Sequence, residues 1–337
     1  MSGYYFVSAV ISLFKGEKFI RGRLDDLLAQ SLGKQAEIII IDSNSPQNEK
    51  AIIEEYLTKN DNIKYLRTDF TESMYAAWNR GIAMANGKYI TNANVDDRLA
   101  PNALEELANA LENDPSAGLV YGDYFVSPKE NENFETAKQK GRPVRVSGEF
   151  SPLHLLHGYM CGPQSLWRKT LHDENNIWFD ESFEVTGDYK FVADITKVTK
   201  LKYLPKNLGV YYRSQADENK EFQNLEKTTA EAFRIKYELI NFYLDHNTLS
   251  VDRPENRKAL RNIKFYPSLS VRAASILWKL DKRAVINYET VFFIAAVQAE
   301  KEGNLAKTMK IIKKFENYPA AVYIHNYEKY LREKGAI

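Results

Sequence analysis

Cysteine and long apolar runs are scarce in this chain of 337 residues, and each scarcity excludes a class of protein. Because Cys161 is the only cysteine, no intramolecular disulfide can form, and we expect a reducing compartment, the cytoplasm. No run reaches the ~18 apolar residues that a membrane-spanning helix needs. The apolar start, from Tyr4 to Phe14, lacks the basic flank of a signal peptide and is typical of a buried first strand.

The chain also lacks a large excess of positive or negative residues, since its formal net charge is +1. A balance this close to zero gives no reason to expect a nucleic-acid partner. The balance is uneven, because residues 221–337 carry 20 Lys and Arg against 14 Asp and Glu, whereas residues 1–220 carry 26 against 31. The basic stretch 253–283, with interleaved aromatic residues, could rest as a peripheral contact on an anionic membrane surface. A solvated helix face or a homodimer contact is the alternative.

Two glycine-rich signatures, GxGxxG and GxxxxGKS/T, are missing after the first predicted strand, which disfavours a dinucleotide site and a Walker-type phosphate loop. The first hundred residues contain instead an alternation of apolar strands with amphipathic helices. Strands are predicted at Tyr5 to Leu13, Glu37 to Ile41, Ile63 to Arg67 and Tyr89 to Ala93. This alternation with short loops predicts an α/β fold, with a mainly parallel sheet flanked by helices.

Polar clusters follow three of these strands, at Ser12 to Lys15, Asp42 to Ser45 and Asn94 to Asp97. Because ligands of open α/β sheets bind beyond the carboxyl ends of the strands, the three clusters should converge on one crevice. Asp96 and Asp97 would suit Mg²⁺ or Mn²⁺, which usually takes one or two carboxylates together with substrate phosphates. The alternative is an Asp pair in a turn that caps the next helix.

The next part of the chain has a less regular pattern. A strand is predicted from Leu119 to Phe125, and the polar residues 127–148 that follow suggest a mobile loop. The stretch from His154 to Trp167 mixes His, Gly, Pro, Gln and aromatic residues, a composition that suits the wall of a binding site. Apolar spacing predicts helices beyond residue 220, so we expect two domains, residues 1–220 and residues 221–337.

A series of motifs resembles those of the family 2 glycosyltransferases, which have the nucleotide-sugar-binding GT-A fold. The motifs are the strand end Ile11 to Phe14, the leucine-spaced helix Leu24 to Ser31, the Ile-rich strand and Asp-x-x-Ser of Ile38 to Ser45, the block Ala77 to Ile90, Asn94-Val95-Asp96-Asp97 at the place of the DxD motif, and Gly187-Asp188-Tyr189 at the place of a Glu-Asp pair. The resemblance covers roughly the first two-thirds of the chain. It implies a Rossmann-like GT-A domain followed by an α-helical appendage.

The resemblance also implies roles for the acidic residues. Asp188 falls where the family carries its catalytic base; a helix N-cap is the alternative. Asp96 would be the main ligand of a divalent cation, with Asp97 in a supporting role. The chain departs from the family pattern at Asn94, which replaces the first Asp of DxD and binds a cation less strongly, and at Gly187, which replaces the Glu.

Donor and acceptor residues follow in the same way. Ser12 and Asp42 would line the nucleoside, Asp42 by accepting from a base N–H; a capping or turn Asp is the alternative for Asp42. Arg80 and Arg213 are candidates for the diphosphate, because the guanidinium fork suits phosphate oxygens, and a surface salt bridge is the alternative for each. The remaining candidates, listed by their expected partner, are Asn79 for the donor and His157, Gln164 and Tyr189 for the acceptor. His154 and His157 could also be structural histidines.

The implied activity is transfer of a sugar, with inversion, from a nucleoside-diphosphate sugar to a glycan or lipid-linked hydroxyl. A UDP-sugar is the expected donor, Mn²⁺ or Mg²⁺ the expected cofactor, and synthesis of a bacterial surface polysaccharide the expected context. Two alternatives stay open. Asn94 and Gly187 would suit a catalytically silent nucleotide- or glycan-binding module. A nucleotidyltransferase would need a glycine-rich basic loop after the first strand, and residues 12–16 match that pattern poorly.

Overall fold

The structure is a computed structural model that describes residues 5–214, 223–249, 284–318 and 321–337. The chain divides into two compact units. The first unit contains Met1–Glu149 and Met160–Gln223, and the second contains Phe150–Tyr159 and Asn224–Ile337. The boundary expected near residue 220 therefore differs from this division in one segment, because Phe150–Tyr159 groups with the C-terminal helices.

A mixed sheet forms the centre of the first unit. Its strands are β1 (Tyr5–Leu13), β2 (Ala36–Asp42), β3 (Ile63–Arg67), β4 (Gly87–Asn92), β5 (Arg98–Leu99), β6 (Ala117–Ser127), β7 (Val144–Arg145), β8 (Leu166–Arg168) and β9 (Lys200–Tyr212). The strand order is β3-β2-β1-β4-β8-β6-β9-β5, and β7 pairs with β6. The first four strands pair in parallel, as expected. The later part adds antiparallel pairs, of β8 with β4 and β6, of β5 with β9 and of β7 with β6.

Helices connect the strands and form the second unit. They are α1 (Glu17–Leu28), α2 (Glu49–Leu57), α3 (Met74–Ala83), α4 (Ala103–Glu112), α5 (Phe134–Gln139), α6 (Pro152–His157), α7 (Thr170–Asp173), α8 (Gly187–Val198), α9 (Leu225–Asp245), α10 (Ala284–Lys301), α11 (Leu305–Ile312) and α12 (Val322–Glu333). The predicted α/β fold with C-terminal helices is confirmed. Within the described ranges, no helix combines the length and apolar character needed to cross a bilayer.

The core of the first unit lies where β2 meets its neighbours. Ile38 to Ile41 form the interior of β2 and are at most 1% exposed. Helices cover both faces of a parallel sheet, so an apolar side chain is favoured at every position of a central strand. Leu24 and Leu27 on α1 recur at helical spacing and join the same cluster. This packing fixes the carboxyl ends of the strands, where the polar clusters lie.

Residues 127–148 are more ordered than the sequence suggested. They contain α5 and β7 rather than a mobile loop without structure. The side chain of Glu132 is fully buried and accepts hydrogen bonds from Ser127, from Lys140 at 2.9 Å and from Arg142 at 2.7 Å. These bonds, of which that to Arg142 is the strongest influence, lower the pKa of Glu132 to about 2. The sequence did not reveal that Glu132 holds this segment in place, because the segment is rich in charged residues and their pairing is not visible in its composition.

The second unit has its own core, formed by α6 and α9 to α12. Phe233, Phe293 and Tyr327 pack their rings against one another in it. Charged side chains are buried there, among them Glu289 and Lys236, each 1% exposed. Lys236 donates to the carbonyl of His157 at 3.1 Å and lies 3.4 Å from the centre of the Tyr323 ring. Burial lowers the pKa of Lys236 to about 7.

Candidate functional site

The carboxyl ends of β1, β2 and β4 lie side by side. In the parallel registers Leu13 is opposite Asp42, and Val10 is opposite Asn92. The N–H of Ser43 donates to the carbonyl of Leu13 at 3.0 Å, and the N–H of Ala93 donates to the carbonyl of Val10 at 2.7 Å. The three polar clusters therefore begin at neighbouring positions of one sheet edge, with the candidate donor residue Ser12 on the middle strand.

The loop after β4 carries the candidate metal ligands. Asp97 is 2% exposed, and its two carboxylate oxygens accept from the N–H of Tyr212 at 3.0 Å and from the side-chain amide of Asn94 at 2.9 Å. Burial, and next the charge of Asp96, raise the pKa of Asp97 well above its usual range. Asp97 is thus turned inward and joins the loop to β9. Its supporting role in cation binding stays a prediction. Asp96 is half-buried at the tip of the loop.

This loop rests on charged residues that the sequence analysis missed. Arg23 and Asp26 on α1, together with Arg98, contact its backbone from beneath. The sequence contained a signal for this contact, because Arg23 occupies a position on the apolar face of α1. In the structure Arg23 is 2% exposed. Charged residues are rarely buried unless they are paired, so an Arg in an apolar stripe indicates a specific partner.

Asp42 lies at the end of β2 but is fully buried. One carboxylate oxygen accepts from the N–H of Ser45 at 2.8 Å, and the other accepts from Tyr65 at 2.7 Å and from Arg67 at 2.6 Å. A carboxylate offers about four lone-pair sites, so three of them are already used. In this geometry Asp42 holds the loop after β2 in shape. Its contact with a nucleobase stays a prediction, and because Asp42 is fully buried, neighbouring side chains would have to move to admit a base.

The loop after β1 presents an aromatic ring that the sequence analysis did not single out. Phe14 is 43% exposed and directly follows a strand in which Val7 to Ile11 and Leu13 are buried. Lys15 follows with a φ of 55°, and its N–H donates to the hydroxyl of Ser45 at 2.9 Å. Left-handed backbone at a residue other than glycine is uncommon and clusters at binding sites. The loop thus displays a ring face beside Ser12.

Asn79 and Arg80, both predicted to bind the donor, have other partners on α3. The Asn79 amide donates to the carbonyl of Phe179 and to Glu181, each at 2.9 Å, and accepts from the N–H of Phe179 at 3.0 Å. Arg80 pairs with the buried Glu72 at 2.9 Å. These contacts favour anchoring of residues 179–181 by Asn79 and a salt bridge for Arg80, the alternative noted for that residue.

Asp188, the candidate base, lies in the first turn of α8, and its carboxylate accepts from the N–H of Tyr189 at 2.7 Å. The N–H of the preceding Gly187 donates to the hydroxyl of Tyr75 at 2.8 Å. A Cβ atom on Gly187 would lie 2.6 Å from the Tyr75 ring. The Tyr75 ring therefore occupies the space that a Glu side chain would need, which explains why this chain has glycine at that place.

Successive neighbours connect Asp188 with the loop after β4. The Asp188 carboxylate lies near Cys161, whose thiol pKa is raised by burial and then by this charge. The next residue, Gly162, has a φ of 66° and packs its Cα against the ring of Tyr124. Tyr124 in turn contacts Tyr211, the neighbour of the residue that donates to Asp97. Cys161 itself is 1% exposed, as expected of a small buried apolar residue rather than a nucleophile.

The remaining candidates are dispersed. Gln164 is 4% exposed and packs against Gly209 of β9, in the first unit. Tyr189 is 3% exposed on the inner face of α8, which favours packing over contact with an acceptor. Arg213 is exposed just after β9, and its N–H donates to the carbonyl of Ser127 at 2.8 Å. His157 belongs to the second unit.

The loop after β4 offers few side-chain ligands for a divalent cation. Among the residues that the structure describes, no three His, Cys, Asp or Glu side chains are grouped as a metal cage. Asp97 and the amide nitrogen of Asn94 bond to each other. Mg²⁺ and Mn²⁺ at phosphate sites are commonly held by one or two carboxylates and by the substrate. Asp96 suits such a cation, one that would be held largely by a diphosphate.

Comparison with known proteins adds an independent observation. Residues 8–174 match the model of the family described as "Glycosyl transferase family 2". An uncharacterized glycosyltransferase of Haemophilus influenzae is 24% identical over 326 residues, which cover 92% of this chain and 96% of that protein. One from Methanocaldococcus jannaschii is 28% identical over 214 residues, which cover 61% of this chain and 72% of that protein.

Solved structures share the fold. S. aureus TarS 1–349 in complex with UDP superimposes with a TM-score of 0.59 at 18% identity, covering 98% of this chain and 92% of that one. The mannosyltransferase PcManGT from Pyrobaculum calidifontis, in complex with GDP-Man and Mn²⁺, has a TM-score of 0.52 at 17% identity and covers 90% of this chain and 88% of that one. At these identities the likeness concerns the fold.

Proposed function

We propose, from the premise that this chain belongs to the family 2 glycosyltransferases, that it moves a sugar from a UDP-sugar to a hydroxyl of a glycan or lipid-linked acceptor, with inversion. The observation that carries the proposal is the common sheet edge at which β1, β2 and β4 end, with Ser12, Phe14 and the loop of Asp96 beside one another in the strand order. Relatives of the same fold hold UDP, UDP-GlcNAc or GDP-Man.

The nucleoside would occupy the ends of β1 and β2. The exposed ring of Phe14 offers a face for stacking on the base, and the hydroxyl of Ser12 offers a hydrogen bond. The diphosphate would then extend toward the loop after β4, where Asp96 lies. The chain of contacts from Asp97 through Tyr124 to Asp188 supports a position for the sugar between Asp96 and Asp188.

Asp188 would act as the base in a single displacement. As the acceptor oxygen bonds to the anomeric carbon, the bond from that carbon to the diphosphate oxygen breaks, and its electron pair leaves with the diphosphate. The acceptor proton passes to the Asp188 carboxylate, which must lie about 2.6–3.2 Å from the acceptor oxygen. Asp188 is half-buried in the first turn of α8, and its role as the base is part of this proposal.

A divalent cation, if bound, would neutralise charge on the departing diphosphate. Asp96 would hold it, with Asn94 nearby and with Asp97 fastening the loop to β9. Because Asn94 is uncharged, we expect weaker cation binding than two carboxylates would give. The Mn²⁺ in one structural relative supports this part of the proposal.

For the acceptor and the cellular role, the proposal names only broad classes. We propose a surface polysaccharide as the product and Gln164 as a residue on the acceptor side, both as the resemblance to the family implies. The basic stretch 253–283, expected to contact a membrane or a second copy, lies outside the described residues and stays a prediction.

The test is UDP-sugar hydrolysis and transfer by the pure protein, with Asp188→Ala and Asp188→Asn as variants. We expect both variants to lose activity by more than about a hundredfold, the scale of general-base catalysis, while UDP binding is retained. Equal activity in wild type and Asp188→Asn would show that the base is misassigned. A wild type that binds UDP without hydrolysing or transferring any UDP-sugar would favour the silent binding module.

A further inference from the structure

Two arginine side chains are buried beneath the loop that carries Asn94, Asp96 and Asp97. Arg23 on α1 is 2% exposed and Arg98 is 3% exposed. Burying a guanidinium is costly unless its N–H groups find acceptors, so each burial calls for a specific reason. The reason lies in the backbone of this loop.

Arg98 binds the loop from within. Its Nη1 donates to the carbonyls of Val95, at 3.0 Å, and of Asp97. Its Nη2 donates to the carbonyl of Phe19, at 3.2 Å, and to the side chain of Asn131. One planar group thus joins the carbonyls on both sides of Asp96 to the start of α1, and fixes the loop on that helix.

Arg23 and Asp26 complete the attachment from α1. Arg23 Nη1 donates to the carbonyl of Asp97 at 3.2 Å and pairs with Asp26 at 3.0 Å. Asp26 in turn accepts from the N–H of Leu99 at 3.0 Å. Donors and an acceptor on one helix therefore engage the backbone that follows Asp96. Burial is the main influence on both ionisable partners: it lowers the pKa of Arg98 to about 10 and raises the pKa of Asp26.

We propose that Arg98, Arg23 and Asp26 are positioning residues for the donor site, and that they act by fixing the backbone around Asp96. The carbonyls of Val95 and Asp97 flank Asp96, so their restraint limits where its carboxylate can lie. A site residue held by hydrogen bonds from a rigid helix binds its ligand with less loss of freedom. The expected ligand is the diphosphate of a nucleotide together with Mn²⁺, and to this extent the proposal rests on the proposed function.

Gly22 supplies a second way to perturb the same contact. A Cβ atom at this position on α1 would lie 2.7 Å from Nη2 of Arg98 and 2.9 Å from Oδ1 of Asn131. Gly22→Ala should therefore displace the guanidinium while it favours the helix, since alanine has the higher helix propensity. This variant separates displacement of Arg98 from failure to fold.

The experiment measures UDP affinity of the full chain by calorimetry, with and without Mn²⁺, for wild type, Arg98→Gln and Gly22→Ala. The matched control is Arg168→Gln. Arg168 donates to the carbonyls of Leu111, at 2.6 Å, and Ala117, at 2.8 Å, near the opposite ends of the strands. We expect Arg98→Gln and Gly22→Ala to weaken UDP binding about tenfold in Mn²⁺ and to leave it unchanged in EDTA. The control should leave both affinities unchanged, whatever it does to the melting temperature.

Two further arms decide whether Arg98 acts through Asp96. In an Asp96→Asn background, Arg98→Gln should cause no further loss of UDP affinity in Mn²⁺; an equal loss there would overturn the proposal. Amide exchange of residues 94–99 in the free protein should be faster in Arg98→Gln than in Arg168→Gln. Unchanged exchange would also overturn it. If wild type bound no nucleoside diphosphate, the proposed function would fail, and exchange alone would still decide whether the loop is held in this way.

Discussion

The contact between Gly187 and Tyr75 leads to a prediction about the candidate base. A Cβ atom on residue 187 would lie 2.6 Å from two atoms of the Tyr75 ring and 2.8 Å from a third. The ring has little room to move, because it is 1% exposed and packs against Trp78 at 5.6 Å and Phe179 at 6.0 Å between ring centres. Gly187→Ala must therefore shift the backbone that carries Asp188.

The magnitude follows from two opposing effects. Overpacking in a filled core costs about 1–3 kcal/mol, whereas alanine in place of glycine at a helical position stabilises by at most ~1 kcal/mol. We expect a net loss of about 1–2 kcal/mol, which lowers the melting temperature by roughly 2–8 °C for a unit of this size. A displacement near 1 Å at a catalytic group can reduce turnover about a hundredfold.

The assay pairs thermal unfolding with turnover and UDP binding. Gly187→Ala should unfold at a lower temperature than wild type and turn over at least tenfold more slowly. Its UDP affinity should stay within about twofold of wild type, because the nucleoside would bind at the ends of β1 and β2. Tyr75→Leu provides the matched background, in which Gly187→Ala should cost less. Unchanged melting and turnover in Gly187→Ala would refute the reasoning from this contact.

Three other predictions concern single side chains. Phe14→Ala should weaken UDP binding about tenfold, because stacking of a base on an aromatic ring contributes ~1–3 kcal/mol, and equal affinity by calorimetry would exclude stacking. The pKa of Glu132 is about 2 in the folded chain against its ordinary value of 4.5, so its contribution to the stability of the first unit is fully present above pH 4.5 and is lost as the pH falls toward 2. Glu132→Gln should therefore flatten the acid limb of stability in denaturant titrations. The lowered pKa of Lys236, about 7 against 10.5, means that the unfolded chain binds more protons between these values, so stability should rise with pH there and Lys236→Met should remove the slope.

Much of the first unit could be predicted from the sequence, because local pattern and fold agree there. β1 has the predicted bounds Tyr5–Leu13, and β3 has the predicted bounds Ile63–Arg67. β1 is largely apolar and β3 is a short run with Ile, Tyr and Leu, and polar loops bound both strands. The helical character of α9 and α12 was visible in the same way.

The missed features depend on contacts between distant parts of the chain. The 127–148 segment was interpreted as a mobile loop because its charges are evident and their pairing on Glu132 is not. In the sequence, Arg98 is one more polar residue after two acidic ones. Only the fold shows that its guanidinium contacts the carbonyl of Phe19 on α1. Gly187 was recognised as a departure from the family, but only the position of Tyr75 explains it. Antiparallel β8 is three residues long, too short for periodicity to reveal.

The most direct measurement is an experimental structure of the chain with a UDP-sugar and Mn²⁺. The proposal predicts Asp96 within about 2.1 Å of the cation, as for hard divalent ions, and the Asp188 carboxylate facing the anomeric carbon from the side away from the diphosphate. A nucleotide bound away from the ends of β1 and β4, or Asp96 and Asp188 opening onto different surfaces, would contradict it.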